Sequence, residues 1–241
     1  MSIITAASIT LDELLNLVFE DAGPSDLIRV VAASRRDFGD LSTFFTRRGN
    51  APWHWPPGAN AVSADTPRAV VARNQDTEVT WSPLLYQQSP MTTSPARLPI
   101  AFCVLPVKVV ASPRLQGYGA VEPESERVAL ARLAAYTPSP NLVLHQGSSI
   151  VGFWRLKTAL VAPSEPVVEN RSGPWGDKPQ AQVQRVLWHL AQALGGSRDD
   201  LDPRRSTFAC PQTPMPGIFP RREVAVMLGP DVGRRFAIDE L

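Results

Sequence analysis

Apolar positions change period several times along the chain, and each change marks an element. Leu11, Leu14, Leu15, Val18 and Phe19 recur at helical spacing, so residues 11–22 read as an amphipathic helix. Thr10-Leu11-Asp12-Glu13 supplies a capping box at its start, and Gly23-Pro24 stops it. LIRVVAAS (27–34) reads as a strand. Phe38, Leu41, Phe44 and Phe45 share one helical face, which predicts a short helix over 37–48. A Pro- and Trp-rich loop follows (50–60). RAVVAR (68–73) and EVTWSPLLYQ (78–87) read as strands, with Pro83 marking a bulge or an edge in the second.

Further along, IAFCVLPVKVV (100–110) is a near-continuous apolar run, as in a strand covered on both faces. A helix over 123–136 opens on Pro123, with Glu124 and Glu126 at the positive end of its dipole. NLVLHQG and SIVGFWRL (141–156) read as an antiparallel hairpin turning at Gly147-Ser148. Residues 162–179 are polar and rich in Pro and Gly, as in a surface loop. Val183, Val186, Leu187, Leu190 and Leu194 line one face of the clearest helix, 181–194, which Gly195-Gly196 ends. STFACP (206–211) reads as a short strand and PRREVAVMLG (220–229) as a terminal helix. The class is α/β (α+β): a central mixed or antiparallel sheet flanked by helices.

Composition narrows the function classes. A chain of 241 residues can bury a sizeable core, and a net charge of +1 argues against a generic polyanion binder. Cys103 and Cys210 are too far apart in sequence for a short zinc motif and read as reduced, buried thiols. No stretch approaches the roughly 20 apolar residues of a membrane span, and the N-terminus lacks a secretory pattern, so a cytoplasmic protein without a membrane partner is expected. The 24 prolines imply many loops. Phosphate-loop, dinucleotide and Gly-x-Ser-x-Gly signatures are missing from the sequence.

Three blocks carry the chemistry to be explained: 98–110, 141–156 and 198–214. In order and spacing they resemble an archaeo-eukaryotic-type primase domain of plasmid and phage replication proteins. That family's second motif runs approximately Ser-Gly-x-Gly-x-His-x-Tyr-Trp-x-Leu; here Gly147 and Phe153-Trp154-Arg155-Leu156 match it, and Val151 stands in the His position. Its third motif, approximately Arg-Leu-Pro-Gly-Thr-x-Asn, survives only as Pro211 and Thr213. The resemblance implies an Asp-x-Asp pair on the first strand, where this chain has Val104 and Pro106. Two carboxylates at i and i+2 share a face and can hold a Mg²⁺ or Mn²⁺ pair, whereas Val and Pro side chains offer no hard oxygen ligand.

The resemblance therefore implies the fold more strongly than the activity. The expected protein is a non-catalytic, primase-like subunit of plasmid, phage or mobile-element DNA replication that needs no cofactor. It would bind DNA or RNA, single strands included, or dock other replication proteins. Arg155, Lys157, Arg204, Arg205 and His145 are the candidate nucleic-acid contacts, although His145 also reads as a structural histidine. Asp199 is the weak candidate for a surviving catalytic acid, with a solvated turn as the alternative for Asp199, Asp200 and Asp202. Trp53-His54-Trp55 could stack bases or fold against its own domain. One rival is an active nucleotidyltransferase with displaced Mg²⁺ or Mn²⁺ ligands; another is a purely structural protein–protein interaction component. The expected division is 1–97 as an N-terminal α/β portion, 98–215 as the motif-bearing portion, and 216–241 as a basic helix and tail.

Overall fold

The computed structural model describes residues 5–32, 41–46, 53–54, 66–74, 77–88, 97–110, 123–146, 149–161, 179–196, 207–213 and 223–241. Among the described residues, two antiparallel sheets and four α-helices build the α+β fold expected from the sequence. The larger sheet has six strands. In chain order these are β1 (Thr5–Ala7), β5 (Leu84–Gln88), β6 (Arg97–Val110), β7 (Leu142–His145), β8 (Ser149–Val161) and β10 (Ala225–Leu228). Their spatial order is β1-β10-β7-β8-β6-β5. The smaller sheet is ordered β3-β2-β4-β9, from β2 (Ile28–Ala32), β3 (Leu41–Phe45), β4 (Val79–Trp81) and β9 (Phe208–Ala209). The large sheet draws strands from every part of the chain: β1 pairs with β10, and β5 with β6.

Alternation along the strands sets the layers. Val104 on β6, Leu142 and Leu144 on β7, and Val151 and Phe153 on β8 face helix α1 (Leu11–Val18) and the small sheet. Leu105, Val107, Val109, Val143, Ile150, Trp154 and Leu156 face the opposite way, onto α3 (Pro123–Ala135) and α4 (Pro179–Leu194). Both faces of the central strands are therefore covered, which explains the unbroken apolar run of β6. α3 crosses β8 at Gly152, where a Cβ would lie 2.8 Å from Leu133 Cδ2 and that side chain would have to shift.

The expected capping box forms at α1: the Glu13 amide donates to Thr10 Oγ1 at 3.3 Å, and the Thr10 amide to Glu13 Oε2 at 2.7 Å. Gly195 ends α4 with φ +69°. Four readings of the sequence need correction. Within 37–48, residues Leu41–Phe45 form a strand, β3, laddered onto β2. Aromatic and β-branched side chains suit a pleated surface, and that pairing overrides the helical spacing. RAVVAR is the helix α2 (Pro67–Arg73) rather than a strand; Thr66 Oγ1 accepts from the Ala69 amide at 3.2 Å and Pro67 starts the first turn. EVTWSPLLYQ splits at Ser82-Pro83 into β4 and β5, which enter different sheets. Within 220–229, Ala225–Leu228 form β10 between β1 and β7 instead of a helix. The expected hairpin turn at 147–148 and the loop at 162–178 lie outside the described residues. No described helix is long and apolar enough to cross a membrane.

Candidate functional site

The three sequence blocks fold onto one core. Val104 pairs across the sheet with Arg155, Pro106 with Phe153, and Val151 with Lys108, so these six positions share one face of β6 and β8. Val104 and Val151 are 0% exposed, and Pro106 is buried as well. The third block meets them through β9: Phe208 packs edge-on against Phe153 at 4.9 Å between ring centroids, and Trp81 stacks on Phe153 at 5.6 Å. Gln146, at the end of β7, ties the two sheets together. Its Oε1 accepts from the Ala209 amide at 3.0 Å, while its Nε2 donates to Ser149 Oγ at 3.3 Å. The Cys210–Thr213 turn closes on itself, with Thr213 Oγ1 donating to Cys210 O at 2.6 Å and Gln212 left-handed at φ 60°.

The positions where the resemblance implies metal ligands thus lie in an aromatic and aliphatic interior. Among the described residues, no group of three or more His, Cys, Asp or Glu is arranged to hold a metal ion. Asp199, Arg204 and Arg205 lie outside the described residues, as do Asp200 and Asp202. Trp53 of the aromatic loop is buried against Phe19 and donates from Nε1 to Asn16 Oδ1 at 3.0 Å. That contact is the self-packing alternative for Trp53; Trp55 is outside the described residues.

The other candidate residues engage acids within the chain. Arg155 is buried; its guanidinium donates to Glu20 Oε2 beyond the end of α1, and at 3.1 Å to Val232 O. Arg235 joins the same carboxylate at 2.9 Å and also grips Asp21. Lys157, two residues further along β8, is 55% exposed and lies 3.3 Å from Glu240, which Arg234 also approaches at 3.7 Å. His145 is buried on β7, its Nε2 3.7 Å from Glu126 Oε2. The sequence reading missed Glu20, Asp21 and Asn141. None of them stands in a local motif; their partners lie far along the chain.

The electrostatics follow from these contacts. Hydrogen bonds from Arg235 first, and from Arg155 second, hold the Glu20 carboxyl below its ordinary value. Bonds to Asp21 and Glu20 raise Arg235 in turn. Burial pushes the Cys103 thiol up to about 12, with Asp26 and Asp21 adding to the effect, and burial alone raises Cys210. Both cysteines are free thiols, and these raised values describe poor nucleophiles at neutral pH.

A testable pH dependence comes from Glu20. A carboxylate whose folded pKa is depressed stabilises the fold above its unfolded value, and that contribution disappears as pH falls through the folded value. The wild-type protein should therefore exceed Glu20→Gln in urea midpoint at neutral pH. The difference should shrink once pH drops below the ordinary value of 4.5. Glu20 is largely exposed, so the effect is modest. A difference that stays constant down to about pH 2, below any ordinary carboxylate pKa, would show that the cluster does not sense Glu20 ionisation.

Comparison with protein-family profiles, with curated proteins and with solved structures returned no match.

Proposed function

We propose that the chain is a non-catalytic, primase-like subunit of plasmid, phage or mobile-element DNA replication that works by docking rather than by nucleotidyl transfer. One observation carries this reading: the three blocks of the primase-like pattern, distant in sequence, converge on a single core in which Val104 and Val151 are packed and fully buried. A strand that supplied hard oxygen ligands to a metal pair would need carboxylates at an open face. Here the same face carries Val104 and Val151, packed in one core with Trp81, Phe153 and Phe208, and the buried Pro106 opposite Phe153.

Docking is favoured over broad nucleic-acid contact by two further features. Both faces of the central strands are covered, which leaves edges and ends for partners. Arg155, Lys157, Arg234 and Arg235 all engage carboxylates of the chain itself, which offsets the charge a phosphate backbone would meet. The test is template-directed nucleotide incorporation with Mg²⁺ or Mn²⁺, beside DNA binding across a salt series. We expect no incorporation and little salt-sensitive binding. Incorporation that disappears in Asp199→Ala would overturn the reading, and tight binding that weakens steeply with salt would replace docking with a nucleic-acid role.

A further inference from the structure

The edge of β8 changes partner part-way along its length. β7 begins at Leu142, opposite Phe153, whereas β8 continues to Val161. Beyond Phe153 the same edge is taken by the C-terminal segment, which adds in parallel. The Phe236 amide donates to Arg155 O at 2.8 Å, and the Lys157 amide to Phe236 O at 2.8 Å. Alternate side chains of the segment enter opposite faces. Arg235 reaches Glu20 and Asp21 on the α1 side, while Phe236 is buried in the core beneath α3 and α4. Further along, Glu240 meets Lys157, and the Tyr136 hydroxyl donates to Leu241 O at 3.1 Å.

Main-chain bonds to a strand edge, with pockets for alternate side chains, are the chemistry of peptide recognition by strand addition. The contacts are also of a kind that can exchange. A turn at 230–233, exposed at Pro230, Asp231 and Gly233, leads into the segment, and the carboxylates that hold Arg235 are largely exposed. We propose that this stretch of β8 is a docking groove for a short peptide, occupied in cis by residues 234–241, which bridge β8 at Phe236 and then close in a 3-10 turn over Ile238–Glu240. The partner it fits presents a basic residue followed directly by an aromatic one, with a carboxylate four residues after the aromatic, as Arg235, Phe236 and Glu240 do. The cis segment defines that chemistry: acids for the cation, an apolar cavity for the ring, and Lys157 for the acid. This inference stands apart from the primase-like reading, since neither the incorporation assay nor the DNA assay tests it.

The experiment uses the 241-residue chain and a fluorescent peptide of residues 229–241. Phe236→Ala empties the anchor cavity and so weakens the hold of the cis segment, which the peptide must displace. Polarisation should show the peptide binding this variant at least tenfold more tightly than the wild type, and less tightly as salt is raised. Peptides with Ala in place of the arginine or the aromatic residue should bind at least tenfold more weakly. Arg235→Ala serves as a milder second host. Hydrogen exchange on the wild type needs no variant: the Phe236 and Lys157 amides should exchange before those of Val151 and Phe153, and faster still with excess peptide. Absence of peptide binding by a folded variant would overturn the proposal. So would exchange of Phe236 and Lys157 only with global unfolding.

Discussion

Replacing Val104 by Asp is expected to cost about 3 kcal/mol or more and to create no magnesium dependence. The substitution would return a carboxylate to the place where the resemblance implies one, so it separates an open cleft from a packed core. Val104 is 0% exposed and lies in the cluster that includes Trp81, Phe153 and Phe208. An ion placed there loses its hydration, and the variant carboxyl would be driven towards its neutral form. The nearest compensation is Arg155, directly across the ladder, but its guanidinium already serves Glu20 and Val232 O. Turning it inward would strip those groups of their partner. Val104→Ala controls for volume, and its smaller loss should follow the deleted methyl groups alone. Urea unfolding with and without Mg²⁺ decides the matter. A Val104→Asp protein within about 1 kcal/mol of wild type, and stabilised by Mg²⁺, would mean that this face opens to an ion.

Much of the scaffold could be read from the sequence, for identifiable reasons. β6 and the β7–β8 pair were legible because strands covered on both faces need apolar residues at nearly every position. α1 and α4 were legible because one buried stripe repeats at helical spacing, and because Thr10, Glu13 and Gly195 act locally as caps. Shorter elements escaped because tertiary contacts decide them. α2 buries only Pro67 and Val70, a single helical step that RAVVAR also permits as a strand. Around β10 burial alternates over Val224, Ala225 and Val226 but fades at Met227 and Leu228, too short a run to establish a period. The candidate site was legible only as residue types. Val104, Pro106 and Val151 could be placed on one face by counting; that Arg155 would meet Glu20 across 135 positions could not.

The ionic cluster and the covered sheet have a common structural origin. Arg155 is a buried cation on a strand whose neighbours on that face are apolar, and such a group needs a fixed anion. α1 provides it, since the residues just after its last turn are Glu20 and Asp21. The C-terminal segment then adds Arg235 and balances the pair of acids. One cluster thus fastens the first helix, the central strand and the last segment together, where a phosphate-binding surface would have left its cations facing solvent.

Asn141→Ala should be among the most damaging single substitutions, with an expected loss of about 3 to 5 kcal/mol. Asn141 is 0% exposed at the start of β7, and every polar group it carries has a partner. Its side-chain Nδ2 donates to Asp231 O at 2.9 Å and to Arg234 O at 2.7 Å, while Oδ1 accepts from the Arg155 amide at 2.6 Å. Its own amide donates to Phe153 O, and its carbonyl accepts from the Gly229 amide, both at 2.9 Å. Alanine keeps the main-chain bonds but leaves the Arg234 carbonyl and the Arg155 amide without their side-chain partner, each costing about 1 to 3 kcal/mol less whatever water can recover, while Asp231 O keeps its bond from the Arg234 amide at 2.9 Å. Asn141→Asp distinguishes hydrogen bonding from mere packing. It preserves shape and the bond from Arg155, yet sets a carboxylate against the carbonyls of Asp231 and Arg234. That carboxyl would have a raised folded pKa, so the variant should gain stability as pH falls, opposite in sign to the Glu20 effect. Urea midpoints over a pH series would show this reversal. An Asn141→Asp protein as stable as the wild type at every pH, beside a damaged Asn141→Ala, would mean that shape, not the amide's donors, holds the C-terminal segment in place.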